Sequence, residues 1–125
     1  MPSNPFEKDG LRGGYFKTPT DYPIRLLPGD IVNAFPSRPI QRVLASHRIV
    51  ETNGAGVQVR VYIAPKGVAP TTEHIALEWT GAAGDIFQEA TNAIESPFLL
   101  IPPGYELYVQ SVVGTCNYFA ATYEV

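Results

Sequence analysis

Proline placement constrains this chain more than any other feature. Seven of its 12 prolines (Pro2, Pro5, Pro19, Pro23, Pro28, Pro36 and Pro39) fall in the first 39 of 125 residues, together with Gly10, Gly13, Gly14 and Gly29. Proline donates no N–H and disfavours helix at the residue before it, so this third holds neither a long helix nor a central strand. It runs extended. The same stretch carries Phe6, Leu11, Tyr15, Phe16, Tyr22, Ile24, Leu26, Leu27, Ile31, Val32 and Phe35, an apolar content that disordered tails lack. Residues 1–23 therefore read as an arm that orders by lying on another surface. Residues 24–35 read as a first pair of short strands around a Pro28-Gly29 turn, with a domain boundary near Pro39 and a second unit over 40–125.

From Ile40 onward the pattern has period two. Val43, Ala45, His47 and Ile49 alternate with Leu44, Ser46, Arg48 and Val50, and Glu51 to Gly56 supply turn residues. Val57, Val59, Val61 and Ile63 then alternate with Gln58, Arg60 and Tyr62, the clearest half-buried strand of the chain. The two runs predict a hairpin. Ile75, Leu77 and Trp79 share one face of a third run. Asp85 to Glu95 fits a strand and loop slightly better than a short helix. Phe98 to Ile101, Tyr105 to Val113 and Cys116 to Val125 supply the remaining strands. The expected fold is all-β, a single β-sandwich or jelly-roll-like domain of about eight short antiparallel strands with an extended N-terminal arm. Arg25 to Val32 and Leu99 to Leu107 echo each other, each placing Pro-Gly turn chemistry between two apolar runs.

The search for chemistry excludes more than it finds. One cysteine, Cys116, excludes an internal disulfide framework and any Cys-based zinc or iron–sulfur site, and reads as a small core filler. His47 lies on an apolar strand face, and His74 stands beside Glu73 at a strand start; with no His-x-His pair, the metal-binding cupin pattern lacks its ligands. No Gly-x-Ser-x-Gly elbow exposes a nucleophile, and Gly54-Ala55-Gly56 leads into a strand rather than a phosphate-binding helix. Glu73, Glu78, Asp85, Glu89 and Glu95 read as solvated charges that discourage edge pairing. No catalytic, cofactor-binding or metal-binding residue is assigned, and the expectation is a protein that is not an enzyme and takes no cofactor.

Charge and hydropathy narrow the partners. The formal net charge is −3, with five basic residues against four acidic ones in 1–39 and four against eight in 40–125. No basic stripe calls for nucleic acid, no run approaches the length of about 20 apolar residues that spans a bilayer, and the first residues lack a signal-peptide pattern. Tyr62, Tyr108, Tyr118 and Tyr123, with Trp79, fit either a sugar-stacking platform or a protein interface. Without a catalytic partner the interface is favoured, and its candidate residues are Phe6, Leu11, Tyr15, Phe16, Tyr22, Tyr62 and Tyr108. An arm that leaves its own domain also implies that assembly completes the core.

Three stretches carry a resemblance: Arg42-Val43-Leu44-Ala45 through Glu51-Thr52-Asn53-Gly54, then Val57 to Gly67, then Phe98 to Val109 with its Pro102-Pro103-Gly104 turn. Over residues 40–125 the chain resembles small β-sandwich structural proteins of tailed bacteriophages. The resemblance implies a non-enzymatic virion protein made in the host cytoplasm. Its leading form is a capsid decoration or cement protein that binds the major capsid protein or other virion proteins and forms a homo-oligomer, a trimer being favoured. The alternatives are a neck, baseplate or tail-fibre attachment protein, or a carbohydrate-binding module.

Overall fold

Every strand in the computed structural model, which describes residues 23–90 and 98–124, belongs to one of two antiparallel sheets. The elements are β1 (Ile24–Leu26), β2 (Ile31–Phe35), β3 (Arg42–Glu51), β4 (Val57–Pro65), a 3-10 turn (Thr72–His74), β5 (Ile75–Gly81), β6 (Ile86–Ala90), β7 (Leu100–Ile101), β8 (Tyr105–Val113) and β9 (Cys116–Glu124). One sheet runs β1-β9-β3-β6, with β7 sharing the free side of β3; the other runs β2-β8-β4-β5. Strands adjacent in sequence mostly sit in opposite sheets, and each ribbon of two strands pairs with a ribbon distant in the chain. This is the strand order of a double-Greek-key jelly roll, so the all-β sandwich expected from the alternation is the observed fold.

The period-two pattern does its work by facing one side of each strand inward. Leu26, Ala34, Phe35, Leu44, Ile49, Val57, Val59, Val61, Ile101, Leu107, Val109, Cys116 and Tyr118 form one buried cluster between the sheets. At about 25 cal/mol per Å² of apolar surface, this burial is the main force holding the sheets face to face. Cys116 is buried and unpaired with any other cysteine, and burial followed by the nearby Glu51 charge pushes its thiol up to about 11. A core filler is what it is.

Three expectations are corrected. Val43–Val50 and Val57–Ile63 are not a hairpin: β3 pairs with β9, β6 and β7, whereas β4 pairs with β5 and β8. Two inward-alternating runs satisfy their pattern equally well side by side or face to face, and here Glu51 decides. Its carboxylate accepts the N–H groups of Asn53 (2.9 Å), Gly54 (3.1 Å) and Ala55 (3.2 Å), and of Gly84 across the neighbouring corner (2.8 Å). That gathers 52–56 into a corner between sheets.

The second correction concerns β1 and β2, which are strands of the sandwich itself. β1 pairs with Cys116–Tyr118 and β2 with β8, and Leu26, Ala34 and Phe35 lie in the core. The boundary read near Pro39 thus falls inside the domain, and residues 24–35 order on their own chain. They also pair with β9 and β8 rather than with one another, because Pro28-Gly29 (φ +88°) carries the chain from one sheet to the other. Pro102-Pro103-Gly104 (φ +80°) does the same between β7 and β8, so the sequence echo marks two equivalent corners.

The third is the face assigned to His47. A bulge between Leu44 and Ser46 shifts the alternation, so His47 and Ile49 look inward with Leu44, while Val43 lies on the opposite face from Leu44. The segment 85–90 is strand, as favoured; residues 91–95 of that reading lie outside the described residues.

Candidate functional site

Sheet β2-β8-β4-β5 turns a polar face outward, and its centre is a nearly buried carboxylate. Glu106, 8% exposed, accepts hydrogen bonds from Asn33 Nδ2 (3.1 Å), the Ser37 N–H (3.0 Å) and the Tyr108 hydroxyl (3.1 Å). Burial alone would raise its pKa, but these donors and the Gly67 N–H outweigh that and hold the carboxyl below its usual range. Tyr62 and Tyr108, both expected at an interface, are cross-strand neighbours here. Tyr62, 5% exposed, donates to Gln110 Oε1; Tyr108 is half-buried, and burial followed by the Glu106 charge raises its pKa. Farther along the face, Arg60 and Gln58 both engage Glu78. Each polar group thus has a partner on the neighbouring strand, which makes this a finished surface rather than a reactive one.

Near Glu106, Arg42 is essentially fully buried and donates through Nη2 to the Tyr105 carbonyl at 3.2 Å. Desolvation and then the adjacent Arg38 charge lower its pKa, while Glu124 and Glu106 raise it. Arg38 itself pairs with Glu124 at 3.1 Å. Nothing in the sequence pattern singled out Arg42, Glu106 or Asn33; the available signal was a charged or amide residue inside a run of strong strand formers.

The interior holds one polar pair. His47 Nδ1 lies 3.3 Å from the Tyr118 hydroxyl, with Phe87, Phe98 and Tyr118 edge-on around the imidazole at centroid distances of 5.4, 4.9 and 5.7 Å. Its Nε2 is buried without a hydrogen bond, and desolvation lowers its pKa to about 4. The ring is a neutral core group, as its strand face implied. Tyr118 is likewise buried, which raises its pKa. His74 caps the 3-10 turn, its Nδ1 accepting the Thr71 N–H at 3.0 Å.

The four tyrosines and Trp79 do not make one platform. Tyr118 is in the core, Trp79 packs against the core and stacks on Phe87 at 5.5 Å, Tyr62 and Tyr108 face outward from one sheet, and Tyr123 is borne by the other. Among the acids, Glu78 is held by Arg60, and Asp85 accepts the Ala82 N–H in a turn at 2.8 Å; Glu95 lies outside the described residues. Among the described residues no group of three or more His, Cys, Asp and Glu side chains is placed to hold a metal ion, and no helix is long and apolar enough to cross a membrane.

The outer face of sheet β1-β9-β3-β6 is different in character. The register aligns Val50 with Ile86, Arg48 with Phe119, Val43 with Tyr123 and Ser46 with Ala121. Ile86 is 52% exposed, Val50, Phe119 and Tyr123 are half-buried, and the Arg48 guanidinium stands 5.8 Å from the Phe119 ring centre. No family model, curated protein or solved structure matches the chain. The surfaces must therefore be read on their own chemistry. An apolar strip flanked by Arg25 and Arg48, opposite a self-satisfied polar sheet, gives the molecule a sticky side and an inert one. Phe6, Leu11, Tyr15, Phe16 and Tyr22 lie outside the described residues.

Proposed function

We propose that this protein is a non-enzymatic structural component of a bacteriophage virion, a decoration or cement protein that binds the capsid surface as an oligomer. The observation that carries the reading is the apolar outer strip of Val50, Ile86, Phe119 and Tyr123, borne by a jelly roll whose other sheet closes its polar groups on one another. The likeness of residues 40–125 to phage β-sandwich proteins supports the same class. Fold alone does not assign function, so the argument rests on the strip. Cement acts by adding buried area across seams between subunits, at about 25 cal/mol per Å² of apolar surface less the cost of ordering and association.

The test is quantitative mass spectrometry of purified particles of the encoding phage, followed by binding of purified protein to heads stripped of it. The expected result is many copies per head and binding that is lost in Phe119→Ser combined with Ile86→Ser, with the urea midpoint nearly unchanged. Absence from purified particles overturns the reading. A single ring of copies at one vertex replaces the head assignment with a neck or tail one.

A further inference from the structure

Four sheet edges exist in a two-sheet sandwich, and unprotected edges invite another strand. Three carry a protective device. β2 has a bulge between Asn33 and Phe35 and is followed by Pro36; β5 has an irregularity at Leu77–Ile75 and carries Glu78; β6 follows Asp85 and carries Glu89. The fourth edge, the β1 side of β9, has none. β1 is three residues long and covers only Cys116–Tyr118, while β9 runs on to Glu124. Among the described residues, Ala120-Ala121-Thr122-Tyr123 has ladder partners on the β3 side only. That stretch contains no charge, proline or glycine.

The chain's own N-terminal tract does not simply prolong β1 along this edge, because the backbone bends at Pro23, where proline fixes φ and lacks an N–H. The tract still has 22 residues before that point, a reach of roughly 70 Å when extended. Within it, Tyr15-Phe16-Lys17-Thr18, between Gly14 and Pro19, is the run of strand-forming residues free of proline and glycine. It is four residues long, as is the uncovered stretch. We infer that Tyr15–Thr18 of a second copy adds as a strand to Ala120–Tyr123, so that assembly proceeds by strand addition at the β9 edge, with main-chain bonds for affinity and the tyrosine and phenylalanine for selectivity. This rests on the assembly reading above and names its partner: another molecule of the same chain.

Tyr15 replaced by the photoreactive p-benzoylphenylalanine tests it in the full-length protein. Light and 15N-labelled chains are unfolded together, refolded, irradiated and mapped by mass spectrometry. The expected product joins residue 15 to the 116–124 strand, with mixed-isotope pairs as frequent as same-isotope ones. Same-isotope products alone mean that the tract folds onto its own copy and overturn the inference, as does cross-linking elsewhere. Lys17→Pro removes a ladder donor outside the sandwich, and is expected to weaken self-association at least tenfold in sedimentation equilibrium without moving the urea midpoint; unchanged association also overturns it. Purified protein suffices for both measurements, so a cross-link at β9 without binding to heads would refute the virion reading alone, and head binding without the cross-link would refute strand addition alone.

Discussion

Gly114→Ala tests whether the sandwich is closed by backbone approach at its corners. Gly114, between β8 and β9, has φ +84°, and a Cβ built there lies 2.1 Å from the Gly56 carbonyl oxygen and 3.0 Å from Val57 Cα. Both obstacles are main chain, so no rotamer change relieves them. The left-handed conformation costs an alanine about 1–2 kcal/mol, and pushing two corners apart by about 1 Å costs about 1–3 kcal/mol more, as overpacking does in cores. The movement also strains the Ser111 hydroxyl bond to the Gly114 carbonyl, which is 2.5 Å long. Gly29→Ala is the control: its φ is +88°, and nothing lies within 4 Å of the added carbon, leaving the conformational cost alone. For a domain of this size 1 kcal/mol corresponds to roughly 4–8 °C in Tm. Differential scanning calorimetry should therefore show Gly29→Ala about 5–10 °C below the parent and Gly114→Ala about 10–25 °C below it. Equal losses in the two variants would mean that the corners are not in contact, and the closure argument would fail.

Two further predictions concern pH. His47 is a base whose folded pKa is depressed to about 4, so between there and its unfolded value of about 6.5 the unfolded chain binds more protons and stability falls with acid. Taking pH 7.5 to pH 5, the loss is about 2 kcal/mol in urea titrations; an equally steep loss in His47→Phe would refute the assignment. Glu51 is the opposite case. The N–H of Gly84 first, then those of Asn53, Ala55 and Gly54, outweigh desolvation and lower its pKa, so its contribution is present above the unfolded value near 4.3 and is lost as pH falls through the folded one. Glu51→Gln should lower the urea midpoint at pH 7, and its deficit relative to the parent should shrink below pH 4.5; a deficit independent of pH would show that the charge is not what holds the corner.

The strands were legible because alternation is a local property. Val57, Val59, Val61 and Ile63 declare an inward face whichever strand lies beside them, and Pro28-Gly29 and Pro102-Pro103-Gly104 declare breaks. Pairing is not local. Nothing between Val43 and Ile63 distinguishes a hairpin from two strands facing across a core, since both bury the same side chains; the difference lies in Glu51, whose carboxylate reaches main-chain N–H groups on two corners. The bulge at Ala45 was hidden for the same reason. It is visible only against β9, where Leu44 opposes Thr122 and Ser46 opposes Ala121.

The same distinction governs the surfaces. Tyr62 and Tyr108 were legible as outward residues, but only the β4–β8 register brings them side by side and lets Gln110 and Glu106 engage their hydroxyls. Pairing removes them from the set of free anchors, because a hydroxyl already bonded within its own sheet gains little from a partner. Phe119 went unnoticed as a surface residue because β9 reads simply as a last apolar strand. Its importance follows from register: opposite Arg48 and one sheet away from the satisfied polar face, it stands where apolar area is available and no internal bond competes for it. Affinity in such a molecule should come from the strip and the β9 edge together, since Ala121 and Tyr123 belong to both, and a partner strand along that edge would lie against the same side chains that face outward.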